Sequence, residues 1–282
     1  MARRSEDPVR RPTVGVQLVA VDADGSTRRR PDKLATEEPM EIRVCGPGEV
    51  ARPVAVTLRT PGHDFELALG FLHAERLVCH ARDLANIAYC MGPDGDQEYN
   101  VVTVRLRHAI IDAVHPRTFV ANSSCGLCGK TALDQLEQHC ESLANVSFSV
   151  SADVVRSLPE RLSEHQALFD ATGGLHAAAL VESDGAVIVV REDVGRHNAV
   201  DKLVGHALIE RHVPIDNAMM FVSGRLGYEL VQKAALAGVT TLCAVGAPSS
   251  MAVDAAQRFG QTVIAFVRDD RFNIYTHPER VI

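Results

Sequence analysis

The sequence predicts an α/β fold, with a mixed or parallel sheet and helices on both faces, joined to a smaller strand-rich α+β part at the N-terminus. Three observations predict it. From about residue 172 onward, strand-like runs alternate with helix-like ones, as in sheets whose crossovers are helices. Before that point, several strand-like runs surround one amphipathic helix. Of the 282 residues, 46% are hydrophobic, enough to fill a real core.

In chain order, residues 1–33 are expected to be a basic leader with one edge strand over 14–21; 1–12 and 22–33 are mobile or edge material. An N-terminal part over 34–117 holds strands at 41–45, 53–59 and 99–106, the last with clear alternation. Between them, Phe65, Leu69, Leu72 and Leu77 form the apolar stripe of a helix over 64–78, with Asp64 as its N-cap after Thr60-Pro61-Gly62. The run from Met91 to Asp96, with Gly92, Pro93 and Gly95, reads as a turn between two strands. The main domain is expected over 118–282. It opens with a β-like run at 118–120 and a helical one at 131–140. Strands at 175–181 and 186–191 form a hairpin across Glu182-Ser183-Asp184-Gly185. Helices at 198–211, 227–237 and 250–259 then alternate with strands at 218–222, 239–245 and 262–267. There is no internal repeat.

Charge and cysteine usage exclude several classes. The net charge of −7 argues against a nucleic-acid protein as a whole. It is unevenly spread, +3 over the first 33 residues and −10 over the rest. No apolar stretch follows the basic start to make a secretory signal, and no run of about 18 apolar residues exists to span a membrane. Seven cysteines at irregular spacing suit a reducing compartment better than a disulfide framework. The expectation is a cytoplasmic protein without membrane or nucleic-acid partners.

Cys125-Gly126-Leu127-Cys128-Gly129 carries the most chemistry. Flanking glycines let the backbone turn sharply and leave a sulfur open to attack. A helix starting just beyond, with Lys130 alongside, favours the thiolate over the thiol. Cys125 is expected to bear transferred sulfur, with Cys128 assisting from the first helical turn. Three other readings compete. A closed zinc site needs four ligands, and Cys45, Cys79, Cys90, Cys140 and Cys243 are scattered singly. A thiol–disulfide redox pair also opens a helix, but no tryptophan exists here and the pair lies mid-chain. His73-Ala74-Glu75 with Cys125 and Cys128 imitates a zinc deaminase signature, except that Ser124 replaces the proline and His73 lies well inside a helix.

Three strand-to-helix turns share a second chemistry. They are Arg191 to Asn198, Ser223-Gly224-Arg225, and Gly246 to Ser250. Each places Gly, Ser or Asn at a helix start, where free N–H groups hold anions, and two add arginine. Ser and Asn are also ordinary caps, so it is three such turns on one sheet edge that suggest a phosphate-bearing ligand. Asp193, His197, Ser223 and Arg225 are candidates for its site, as is His176, which follows the Thr172-Gly173-Gly174 loop. Met219 and Met220 read as strand core, and His139, His206 and His212 as structural or surface groups.

Several of these blocks, in this order, resemble the FdhD family of sulfur carrier proteins. They are Ser123 to Gly129, Thr172 to His176, Arg191 to Lys202, Ser223 to Arg225, Thr60-Pro61-Gly62 with its following helix, and Phe272 to Tyr275. The resemblance spans roughly residues 40 to 282 and leaves the arginine-rich leader uncovered. It implies a main domain similar in fold to cytidine deaminases. It also implies a sulfurtransferase that takes sulfur as a persulfide from a cysteine desulfurase. The sulfur would pass to the molybdenum cofactor, bis-molybdopterin guanine dinucleotide, before insertion into formate dehydrogenase. By position, Phe266, Val267, Arg268, Asp269, Asp270 and Arg271 correspond to the family's cofactor-binding stretch. There Arg268 and Arg271 would meet phosphate, and Asp269 or Asp270 a guanine edge. No resident metal is expected, and the chain is expected to act as a homodimer.

Overall fold

The computed structural model describes residues 11–92, 97–110, 142–268 and 270–282. Twelve strands fall in three sheets among these residues. β1 (Thr13–Val21) and β2 (Thr27–Ala35) pair as an antiparallel ribbon. The sequence reading has no strand over 27–35, because four cations and Pro31 in that run disguise it.

The second sheet has four strands in the order β4-β3-β6-β5. These are β3 (Glu38–Cys45), β4 (Arg52–Arg59), β5 (Leu84–Met91) and β6 (Gln97–Leu106). β3 and β6 are parallel, so the chain must cross over between them, and α1 (Asp64–Ala74) lies in that crossover. Asp64 is not the N-cap; that position is His63, in the left-handed region at φ 58°. Asp64 instead takes a bidentate pair from the fully buried Arg59, at 3.0 and 2.9 Å. α1 also stops four residues before the predicted end. Arg76 adopts φ 59° and Leu77 N–H bonds the Leu72 carbonyl, the geometry of a Schellman stop.

The third sheet has six strands in the order β12-β11-β10-β9-β7-β8. They are β7 (His176–Glu182), β8 (Val187–Asp193), β9 (Ala218–Val222), β10 (Thr241–Ala244), β11 (Thr262–Arg268) and β12 (Arg271–Thr276). β9, β10 and β11 are mutually parallel, whereas β7 and β12 run against their neighbours, so the sheet is mixed. The predicted hairpin is present as β7–β8. Among the described residues five further helices complete the fold: α2 (Ala152–Ser163), α3 (Ala167–Thr172), α4 (Arg196–Ile209), α5 (Tyr228–Leu236) and α6 (Ser250–Phe259). α2 and α3 are additions to the sequence reading. Val155, Leu158 and Leu162 give α2 a helical stripe that Pro159 interrupts in sequence only.

Alternation along the strands sends side chains to both faces. Ala178, Leu180, Met220, Val222 and Leu242 join α4, α5 and α6 in one core, which continues through α1 to Ile42, Val44, Val102 and Val104 of the four-stranded sheet. Ala177, Ala179, Val181, Met219 and Phe221 pack on the other face against α2. Helices therefore cover both faces, as predicted. α1 and α4 approach backbone to backbone. A Cβ on Gly70 would lie 1.8 Å from the Asp201 carbonyl, and one on Gly205 would lie 1.8 Å from that of Glu66. Only glycine permits this double contact.

Candidate functional site

Strand direction gathers the predicted ligand residues on one rim. β8, β9, β10 and β11 all end there, and β7 and β12 start there. His176 opens β7 directly opposite Asp193, the last residue of β8. Ser223, Gly224 and Arg225 follow β9, the turn at Gly246 follows β10, and Phe266 to Arg271 form the β11–β12 corner. Ligands of open α/β sheets bind at such strand ends.

The turns brace one another. The Gly246 N–H donates to the Gly224 carbonyl, at 3.1 Å, and the Leu226 N–H to that of Ala247, also at 3.1 Å. A Cβ on Gly246 would come within 2.8 Å of the Gly224 oxygen, so the turns could not nest with a larger residue. Ser223 is tied to β7 instead, its Oγ accepting from the Ala177 N–H at 2.9 Å. Ser249 caps α6 through the Ala252 N–H, at 3.2 Å.

Asp193 lies beneath the rim, not on it. Its fully buried carboxylate accepts from Lys202 Nζ at 2.7 Å, from the N–H groups of Thr60 and Gly195 at 3.1 and 2.9 Å, and from Asn198 Nδ2 at 2.9 Å. Lys202 Nζ also donates to the carbonyls of Thr60 and Glu192, at 2.9 and 3.1 Å. This ion pair with its hydrogen bonds thus ties the Thr60 loop, the end of β8 and the first two turns of α4 together. The role of Asp193 is to position the rim. Val267 is likewise fully buried, packed in the α2-side core, and offers no side chain to a ligand.

What remains for a ligand is mostly cationic or neutral, with Asp270 as an exposed carboxylate at one corner. Arg225, Arg268 and Arg271 are exposed. The Arg268 guanidinium lies 5.6 Å from the centre of the Phe266 ring. Phe266 holds φ 55°, a strained value for an aromatic residue, at a bulge between β11 and β12. Asp270, at φ 60°, makes the exposed corner. Burial, with Lys233 and Arg196 nearby, pushes the His197 imidazole down to about 4, and its Nε2 lies 3.1 Å from the Glu229 carboxylate. Burial and Arg196 also lower His176.

Arg196, at the first position of α4, is absent from the sequence-derived site although it lies in a quoted block. Its side chain crosses the rim. Both His176 Nδ1 and Arg196 Cδ flank Gly224, at 3.4 and 3.8 Å from where a Cβ would stand. Its Nε is buried and has no hydrogen-bond partner among the described residues. The signal in sequence was a cation directly after Gly195 at a helix start.

Cys125, Cys128 and Asp269 lie outside the described residues. His73, the histidine of the deaminase-like outline, is buried inside α1. Its Nδ1 faces the Val78 carbonyl at 2.9 Å and its Nε2 that of Leu236 at 3.2 Å, so the ring is committed to packing α1 against the end of α5. No helix among the described residues is long and apolar enough to cross a membrane.

Comparison with known proteins gives consistent matches. A family model described as the FdhD/NarQ family matches residues 35–282. A curated Streptomyces coelicolor protein named sulfur carrier protein FdhD is 47% identical over 264 residues, covering 92% of each chain. The protein of the same name from Sulfurisphaera tokodaii is 47% identical over 251 residues, covering 89% of this chain and 92% of that one. A solved structure from Desulfotalea psychrophila, assigned as a formate dehydrogenase accessory protein, superposes with a TM-score of 0.74 at 22% identity. It covers 96% of this chain and 99% of that one.

Proposed function

From the premise that this chain belongs to the FdhD/NarQ family, we propose that it is a cytoplasmic sulfurtransferase that carries sulfur as a cysteine persulfide. The observation that carries this reading is the family match over residues 35–282, a span that contains Cys125 and Cys128.

In this reading the donor is a cysteine desulfurase bearing a persulfide. The Cys125 thiolate attacks the terminal sulfur, a new S–S bond forms, and the donor's S–S bond breaks to release its thiolate. This uptake step consumes no external oxidant or reductant; delivery of the sulfur as sulfide takes two electrons, which Cys125 and Cys128 would supply by closing as a disulfide. Cys128 assists. The acceptor is the molybdenum cofactor, bis-molybdopterin guanine dinucleotide, handled as a substrate before its insertion into formate dehydrogenase. The rim supports that choice. Arg196, Arg225, Arg268 and Arg271 line the strand ends, a density of guanidinium suited to several phosphates. Burial lowers both His176 and His197, which favours uncharged rings that can still hydrogen-bond a ligand. Asp269 or Asp270 would accept from a guanine edge.

Intact mass after incubation with a cysteine desulfurase and free cysteine tests the carrier role. A gain of one sulfur, ~32 Da, is expected for the native chain and for Cys128→Ala, and none for Cys125→Ala. Sulfur gain by Cys125→Ala but not Cys128→Ala would reverse the two roles. A reversible internal disulfide with no gain would replace the carrier with a redox module.

A further inference from the structure

A second cationic pocket lies at the end of α4 far from the rim. It is a cavity of about 310 Å³ between the short 3₁₀ turn Ala81–Asp83 and the last turn of α4, lined by His80, Ala81, Arg82, Leu208, Arg211 and Val213. Its floor is apolar, with Leu208 buried and Val213 half-buried. Its mouth is basic, because His80, Arg82 and Arg211 are exposed and no acidic side chain is among the lining residues. Among the described residues neither guanidinium is held in an ion pair. Asp83, the carboxylate nearest in sequence, is turned into its own loop, where Oδ2 accepts from the N–H groups of Cys79 and His80 at 2.9 and 2.8 Å. In a chain with an excess of acidic residues, this grouping makes a local positive potential. The backbone at Arg211 adds a separate observation. The His212 N–H bonds the Ala207 carbonyl at 2.7 Å and the Arg211 N–H that of Leu208 at 3.1 Å, a Schellman stop with Arg211 at its left-handed position, φ 62°. Glycine is the usual residue there, since it has no Cβ to strain. An arginine held in that conformation brings a guanidinium to the cavity instead.

We propose that this cavity binds a small phosphomonoester, its phosphate held by Arg82, Arg211 and His80 and its organic body lying on Leu208 and Val213. Guanidinium forks match phosphate oxygens, and three donors around one mouth suit a tetrahedral group with three terminal oxygens. The volume is at the lower end of the ~300–1,000 Å³ of ligand pockets, too small for the dinucleotide cofactor proposed for the rim. The two sites are also apart. Arg196 opens α4 at the rim and Leu208 lies in its last turn, ~20 Å along the helix. A ligand here would tie the turn that leads into β5 to the helix that begins at the rim.

Calorimetric titration of the full chain with phenyl phosphate tests this, with inorganic phosphate as the probe that lacks the apolar body. The titrations use an Arg225→Gln, Arg268→Gln chain, so that phosphate uptake at the rim does not enter the result. Saturable binding is expected, tighter for phenyl phosphate than for inorganic phosphate. Arg82→Gln should weaken it roughly tenfold or more, the loss of a charge-assisted hydrogen bond. Arg211→Gly separates charge from fold. Glycine suits the left-handed stop, so this variant should melt no lower than its parent and still bind phenyl phosphate roughly tenfold more weakly. Absence of saturable binding in the rim-substituted chain overturns the proposal. So does an affinity unmoved by Arg82→Gln or by Arg211→Gly.

Discussion

Lys202 Nζ sits 2.7 Å from Asp193 Oδ2, with the two side chains 1% and 0% exposed, and between them they hold the loop that precedes α1 against the end of β8. Removing one partner leaves the other charge buried and unpaired. Asp193→Asn is therefore expected to cost about 3–5 kcal/mol in urea unfolding. The double substitution Asp193→Asn with Lys202→Met should cost less than the sum of the single changes. Full additivity would mean that the pair is not the brace described above.

The crossing of α1 and α4 makes a sharper stability prediction. Gly70→Ala and Gly205→Ala each require the helices to separate, and each is expected to lower stability by about 1–3 kcal/mol or more. Gly227→Ala, whose Cβ would meet nothing within 4 Å, should cost less than about 1 kcal/mol. Thermal unfolding of the three variants side by side provides the comparison.

On the rim, Arg196→Ala, Arg225→Ala and Arg268→Ala should each weaken binding of GDP, a fragment of the proposed substrate. Charge-assisted hydrogen bonds worth ~1.5–3 kcal/mol correspond to roughly ten- to a hundredfold in affinity. Adenine nucleotides should bind less well if a carboxylate at the Asp270 corner reads the guanine edge. Equal calorimetric affinities for ATP and GDP, unmoved by these substitutions, would remove the nucleotide reading while leaving sulfur uptake untouched.

His197 supplies a pH dependence. Its folded value of about 4 lies below the ordinary histidine value of 6.5, so the unfolded chain binds the proton more readily. Its contribution to stability is complete above pH 6.5 and is lost as pH falls toward 4. Replacing His197 with Gln should flatten the stability profile in that window. The ring's NMR resonances should show a neutral imidazole from pH 8 down to about 5. A midpoint near 6.5 would mean that the ring is solvated and that the Glu229 contact is an ion pair.

Much of this molecule was legible from local chemistry. Strand–helix alternation after residue 172 gave the sheet and its covered faces, because side-chain period is a local property of each element. It also brought His176, His197, Arg225 and the Phe266–Arg271 corner to one rim, because parallel strands share an end. Elements whose stripe was broken by proline or charge, α2 and β2, escaped for the same local reason. What the sequence alone determined was the chemistry on offer: two thiols in a glycine-rich run, arginines at helix starts, and membership of a family. Only the tertiary structure decided how each group is used. Asp193 and His197 both lie in one predicted turn, yet one became an internal brace and the other a neutral rim residue. His73 is committed to two distant carbonyls, and Gly70 and Gly205 are fixed by a helix crossing 135 residues apart in the chain. Burial, partner and protonation depend on which distant segments meet, and no window along the chain encodes that meeting by itself.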